Sequence, residues 1–303
     1  MSATASTPVP LADASSRSAA RAEAPITVVA GAATDIGLRR KVNEDSHLSA
    51  APVFIVADGM GGHQAGEIAS AIVIEEFTTL VGRASVTIDD VQSALGRARV
   101  RVDELSESSG SEGAGTTLAG VVVAEIEGEG YWLAVNLGDS RTYLLSDGDF
   151  EQISVDHSVV QELIDLGQLD PGAAAHDSRR NVITRALGAG SAAEPDFWLL
   201  PASRGDRVLV CSDGLSGEVD GEAIAEILRA EPNPQTAAER LVQAAIDHGG
   251  RDNVTALVVD VTAVRIRGDE DVATIPGGVS RTSLAAHADS DTRPRAGATE
   301  VAS

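Results

Sequence analysis

The chain reads as an α+β domain built on mainly antiparallel sheet. Short apolar runs flank tight polar turns in two places, the pattern of hairpins. Helical periodicity gathers into neighbouring pairs of segments instead of alternating singly with strands. At 303 residues and 43% hydrophobic, the chain can bury one large core.

Residues 1–25 are rich in Ala, Ser, Thr and Pro without sustained periodicity and read as a disordered leader. Ile26 to Gly31 is the first expected strand, and His47 to Ala57 carries the second and third elements. Pro52 to Ala57 has no polar alternation, so it reads as a buried strand with Asp58 at its C-terminal tip. Gly59, Gly61 and Gly62 then allow a sharp turn. A helix follows with Ile68, Ile72, Val73, Phe77 and Leu80 on one face. Asp89 and Asp90 open a second helix, with Val91, Leu95, Ala98, Val102 and Leu105 at helical spacing. Ser106 to Gly115 is small and polar, hence a loop.

Thr116 to Glu127 and Gly130 to Asn136 form one hairpin; Thr142 to Leu145 and Phe150 to Ile153 form another around Asp147-Gly148. Residues 156–195 mix short helical patches with polar, glycine-containing segments, an irregularity typical of functional loops. Asp206 to Cys211 is a strand. Ala223 to Leu228 and Ala237 to Ile246 are helices, the second ended by Gly249-Gly250, and Val254 to Val261 is the last strand. From about Arg265 the composition reverts to that of the leader. The folded body is therefore set at 26–264, with residues 265–303 a disordered tail.

The formal charge of −23 argues against nucleic acid or an anionic membrane as partner, since both want a basic face. No stretch is long and apolar enough to span a membrane, and the N-terminus lacks the apolar region of a secretory signal. The lone Cys211 lies in an apolar run, reads as a small core residue, and fits a reducing cytoplasm. Lys41 is the sole lysine. An acidic chain that handles phosphate needs metal ions to invert the local field.

Four carboxylates stand where an apolar run meets a turn: Asp58, Asp139, Asp213 and Asp252; Asn43-Glu44-Asp45 leads into a further strand. One Asp-Gly turn means little, because such turns end many strands. Ser146-Asp147-Gly148 illustrates this: between two strand segments it is a solvent-facing hairpin tip without chemistry. Several buried carboxylates brought together would repel one another unless cations hold them. Oxygen ligands suit Mg²⁺ or Mn²⁺, whereas the six His and one Cys show no zinc-like spacing. Two such ions can polarise a phosphoryl oxygen and activate a water.

Seven segments, in this order and spacing, carry a resemblance. They are Gly37 to Asp45; Asp58 to His63 with Gly66-Glu67; Gly115 to Leu118; Gly138 to Arg141; Ile183 to Gly188; Ser212 to Leu215; and Arg251 to Thr255. Together they resemble a bacterial member of the metal-dependent Ser/Thr protein phosphatases, the PPM or type-2C family. The resemblance implies an α-β-β-α sandwich, two mainly antiparallel sheets flanked by helix pairs, with two Mn²⁺ or Mg²⁺ ions at one edge. Asp58 would bridge the ions; Asp213 and Asp252 would complete one site, and Glu44 with the Gly59 carbonyl the other. Asp139, with Asp213, would hold a third, weaker ion. Arg40 would grip the substrate phosphate, as a guanidinium does; Arg39 competes for that role, and counting back from Asn43-Glu44-Asp45 favours Arg40. The implied reaction is hydrolysis of phosphoserine and phosphothreonine in proteins by a metal-activated water, without a covalent intermediate, opposing a bacterial Ser/Thr kinase. The chain is read as a cytoplasmic monomer.

Three features depart from the family pattern or extend it. Met60 occupies the position where eukaryotic members often carry a histidine acid. His63 fits the bacterial Gly-Gly-His pattern, and packing or capping within its loop explains it equally well. Asp156-His157-Ser158 and His176 match the family's flap loosely. Two other readings stay open: a phosphoprotein-binding module that keeps the fold without hydrolysis, and a hydrolase of small phosphoesters. Thr274, after Asp269-Glu270-Asp271, resembles a bacterial kinase target or else belongs to a solvated linker.

Overall fold

The computed structural model describes residues 23–61, 65–109, 114–174, 177–190 and 194–265. The leader to residue 22, Gly62, His63, His176 and the tail with Thr274 lie outside these. The chain opens with β1 (Ile26–Asp35), β2 (Asp45–Ala50) and β3 (Val53–Met60), then α1 (Ala65–Thr78) and α2 (Ile88–Ser109). Next come β4 (Gly115–Thr116), β5 (Leu118–Ile126), β6 (Glu129–Leu137), β7 (Arg141–Ser146) and β8 (Asp149–Gln152). The irregular middle holds α3 (Val159–Asp165), α4 (Pro171–Ala174) and β9 (Leu187–Gly188). Then follow β10 (Asp196–Pro201), β11 (Arg207–Cys211), α5 (Asp213–Ser216), α6 (Gly221–Ala230), α7 (Pro234–Asp247) and β12 (Val254–Val264).

One sheet runs β1-β12-β11-β7-β8; the other runs β10-β6-β5-β3-β4-β9, with β2 also on β3. Every named pairing is antiparallel. The sheets meet face to face. Phe54, Val56, Val121 and Trp132 of one pack against Val208, Val210, Leu257 and Val259 of the other. Outside, Ile55 and Ala57 lie under Ala69, Val73 and Phe77 of α1 and Leu95 of α2. On the opposite flank Leu209, Ala256 and Val258 pack with Ile224 and Leu228 of α6 and Leu241 of α7. The order of layers is helix, sheet, sheet, helix.

This layering explains why β3 shows no polar alternation: Phe54 and Val56 point to the opposing sheet, Val53, Ile55 and Ala57 to the helices. Each of the larger of these side chains, Val53, Phe54, Ile55 and Val56, stabilises by roughly 1.5–3 kcal/mol. Several expectations are corrected. β3 runs on through Gly59 and Met60, because Thr116 and Gly115 of β4 pair with them, so Asp58 sits within a strand and not at its tip. Ile68 is exposed, and the buried face of α1 is carried by Ala65, Ala69, Ile72, Val73 and Phe77. α2 is capped by Thr87, which exchanges hydrogen bonds with Asp90, and it continues to Ser109, into the expected loop. β10 is an additional strand that pairs with β6 alone. Asp147 lies at the exposed tip between β7 and β8, as expected.

Candidate active site

The register of β2 on β3 sets Asp45 opposite Asp58. Glu44 therefore falls beside Gly59, whose N–H donates to the Glu44 carbonyl at 3.2 Å. No side chain fits at Gly59: a Cβ there would stand 2.2 Å from the Gly66 carbonyl oxygen and 2.7 Å from that of Glu44. The N-terminus of α1 thus rests directly on the strand, with the Glu44 Oε1 in the same niche. Asp58 is fixed through its backbone, its N–H donating to Thr117 Oγ1 (3.0 Å) and its carbonyl accepting from Thr117 N–H (2.8 Å) and Thr116 Oγ1 (2.9 Å). Thr117 Oγ1 also bonds Ser140 Oγ at 2.7 Å, tying the Gly115-Thr116-Thr117 segment to the Asp139 turn.

From the other sheet, Asp213 opens α5 directly after Ser212, and Asp252 precedes β12. The two turns are pressed together at Gly214, where a Cβ would come within 1.9 Å of the Asn253 carbonyl oxygen. Asn253 is 4% exposed and clamps the 36–44 loop: its amide donates to the Ile36 and Val42 carbonyls (3.0 Å each) and accepts from Glu44 N–H (2.8 Å). Asp45 joins the two sheets at this edge. Its Oδ2 accepts from Ser212 Oγ and Thr255 Oγ1, both at 2.7 Å, while its buried Oδ1 has no partner among the described residues.

Asp139 follows β6 and is almost wholly buried, with Oδ1 likewise unpartnered among the described residues. Behind it lies a chain of bonds that sequence reading missed. Gly138 N–H donates to His157 Nδ1 (3.1 Å), so the proton sits on Nε2, which donates to Asp196 Oδ2 (3.0 Å). Arg141 grips Asp156 in a bidentate pair at 2.7–3.0 Å. The Asp-His-Ser segment was visible as a motif, but nothing in the sequence pointed to Asp196, which lies 39 residues from His157.

These carboxylates crowd one another. Burial, then Asp45, Asp213 and Asp139, pushes Asp58 well above the usual range, although the residue as a whole is only half-buried. Burial also raises Asp213, with Asp252 adding to it, and lifts Asp139 to about 8 and Asp45 to about 6. Glu44 is raised by burial as well. The Asp58 and Asp213 side chains lie close enough to interact directly, which offsets part of the rise at Asp213. Among the described residues no three carboxylates form a ready-made coordination cage. Asp252 is drawn to Arg40 at 2.5 Å instead, which places the expected phosphate-gripping side chain at the same point as the expected ligand. Arg39 is exposed. The residues nevertheless fit hard cations: an all-oxygen set, charges that repel without a counter-ion, and two unsatisfied buried carboxylate oxygens. A cleft of about 320 Å³ opens over Asp139 and Asp213, walled by Arg141, Val160, Pro171 and Arg180.

The family model for protein phosphatase 2C matches residues 39–247, more than half of the chain. The chain belongs to the protein phosphatase 2C family. The serine/threonine protein phosphatase PstP of Mycobacterium tuberculosis is 38% identical over 259 residues, 81% of this chain and 49% of that protein, so the chain spans about half the length of that relative. The serine/threonine phosphatase stp of Listeria innocua is 34% identical over 239 residues, 75% of this chain and 93% of its own. The crystal structure of the M. tuberculosis phosphatase PstP/Ppp superposes with a TM-score of 0.73 at 38% identity, covering 78% of this chain and 99% of that one. A PstP catalytic domain in complex with two manganese ions gives 0.70 at 38% identity, over 78% and 99% of the two chains. The sandwich described above is thus the architecture this chain shares with phosphatases of the family.

Proposed function

We propose that the chain hydrolyses phosphoserine and phosphothreonine in proteins, using two Mn²⁺ or Mg²⁺ ions and no covalent enzyme intermediate. The observation that carries this reading is the convergence of Asp58, Asp213, Asp139 and Asp252 from both sheets onto one edge, where their mutual repulsion calls for cations. Membership of the family and the two manganese ions in a 38% identical relative support it. The bound ions would supply Lewis acidity at the phosphoryl group and lower the pKa of the attacking water.

The chain's own residues have separate tasks. Asp58 lies between the two sheets' ligands and would serve both ions, with Asp213 and Asp252 on one side and Glu44 and the Gly59 carbonyl on the other. Asp139 with Asp213 would hold a weaker third. Arg40 would leave Asp252 for the substrate phosphate once a cation takes its place there, a guanidinium being matched to two phosphate oxygens. Met60 has no proton to give, so the leaving alkoxide takes its proton from solvent in the site. The opposing enzyme would be a Ser/Thr kinase, and the fold's bounds would be 26–264 with the ends as tails.

Phosphate release from a phosphothreonine peptide, with Mn²⁺, Mg²⁺ or EDTA and beside Asp213→Asn, tests this. Release that needs metal and falls at least about 100-fold in the variant is expected. A folded protein inactive with either metal would remove the hydrolytic reading and leave a phosphoprotein-binding module.

A further inference from the structure

The 36–44 loop carries three consecutive cations, Arg39, Arg40 and Lys41, in a chain whose formal charge is −23 and whose sole lysine is Lys41. The loop does not hang free. The buried Asn253 amide holds both its ends, through Ile36 at one and Val42 and Glu44 at the other. Leu38 N–H donates to the Gly250 carbonyl at 2.7 Å, and Asp35 Oδ1 accepts from Gly37 N–H at 2.7 Å. Asn253 follows Asp252, so the loop is fixed to the very turn that brings Asp252 into the site. Arg40 pairs with Asp252. Arg39 and Lys41, on either side of it, are exposed and make no hydrogen bond or ion pair among the described residues.

Charges of this kind have a plain use beside a phosphate subsite. An extended peptide advances about 3.3 Å per residue. Side chains one to three positions from a phosphoresidue held at Arg40 therefore fall within reach of Arg39 and Lys41. Resting on the phosphatase reading above, we propose that Arg39 and Lys41 select phosphoprotein segments with Asp or Glu next to the phosphorylated residue. In a molecule of formal charge −23 such a segment is repelled by most of the surface, and two cations without acidic partners among the described residues bias both the preference and the register of docking. Leu38, 64% exposed, leaves the same rim open to an apolar neighbour in the substrate.

Three phosphothreonine peptides that differ only in acidic, neutral or basic flanks decide the matter, assayed with saturating Mn²⁺ at low and high NaCl. The acidic peptide should exceed the neutral one in kcat/KM by about two- to fivefold for each pair formed, mostly through KM, and salt should erode the gap. The acidic-to-neutral ratio should approach one in R39Q/K41Q, and R39E/K41E should favour the basic peptide; ratios cancel any general loss of activity. Equal kcat/KM for the three peptides overturns the inference, as does a wild-type preference that survives in both variants. If none is cleaved, the phosphatase reading falls, and Kd values of the same peptides judge the flank preference alone: equal affinities overturn it, and tighter binding of the acidic peptide that R39Q/K41Q abolishes upholds it.

Discussion

Asp45 is the residue on which the two halves of the site depend. It stands opposite Asp58 in the β2–β3 ladder, yet its hydrogen bonds reach across to Ser212 and Thr255 of the other sheet. Asp45→Ala would leave the buried Ser212 hydroxyl without its acceptor and Thr255 Oγ1 with only Thr34 Oγ1, at 2.8 Å, costing about 1–3 kcal/mol of stability. Urea unfolding of the two proteins measures this; a loss below about 1 kcal/mol would mean the hydroxyls find other acceptors and that Asp45 does not join the sheets. Asp45→Asn, which keeps an acceptor oxygen, should lose less than half as much. The candidate ligands Asp58, Asp139, Asp213 and Asp252 stood out in the sequence because each lies where an apolar run meets a turn, Asp252 just before its run and the others just after theirs. The role of Asp45 did not: its partners lie 167 and 210 residues away, and no local pattern encodes them. The His157–Asp196 link was hidden for the same reason.

Elements were legible where their signals are local. Both hairpins follow from neighbouring runs and a tight turn, and α6 and α7 from their apolar segments and the Gly249-Gly250 stop; the structure adds the caps Asp220 and Asn233 at their starts. The two-residue strands β4 and β9 and the edge strand β10 depend on partners supplied by the rest of the fold, so short runs alone did not announce them. The α1–α2 pair also carries an electrostatic tie: Glu76 accepts from Arg97 Nε and from an Arg101 terminal nitrogen, both at 2.7 Å. The Arg101 hydrogen bond, then that of Arg97, holds the Glu76 carboxyl below its ordinary range. A depressed carboxylate contributes stability above its unfolded pKa of about 4.3, and that stability is lost as pH falls through the lower folded value. Glu76→Gln should therefore cost about 0.5–1 kcal/mol at pH 7, with the difference from wild type closing at pH values below about 4. Denaturation at several pH values tests this, and a gap that stays constant into acid would count against the ion-pair account. At the start of α2, Thr87→Ala removes the cap hydroxyl that bonds Asp90 and should cost about 1 kcal/mol.

Across the whole molecule, the sandwich is stabilised by two helix-covered flanks and the shared interior between the sheets, while the edge bearing the carboxylates works against it. Burial and mutual repulsion raise Asp58, Asp213 and Asp139 together, so the metal-free fold keeps protons there that it would otherwise lose. A cation that binds this edge and not the unfolded chain must raise stability by mass action, by about 2.7 kcal/mol at 100 times its Kd. For a domain of this size that is a Tm increase of roughly 5–10 °C. Mn²⁺ should produce it and EDTA reverse it, in the absence of any substrate. Asp58→Asn separates this from nonspecific ion effects: it replaces the buried carboxyl that is costly to ionise with a neutral amide, so the metal-free variant should melt no lower than wild type while its response to Mn²⁺ disappears. An equal Mn²⁺ shift in both proteins would place the ion elsewhere. A variant that melts well below wild type without metal would show instead that the Asp58 carboxyl stabilises the edge by itself, and the crowding of carboxylates would then have to be explained without a cation.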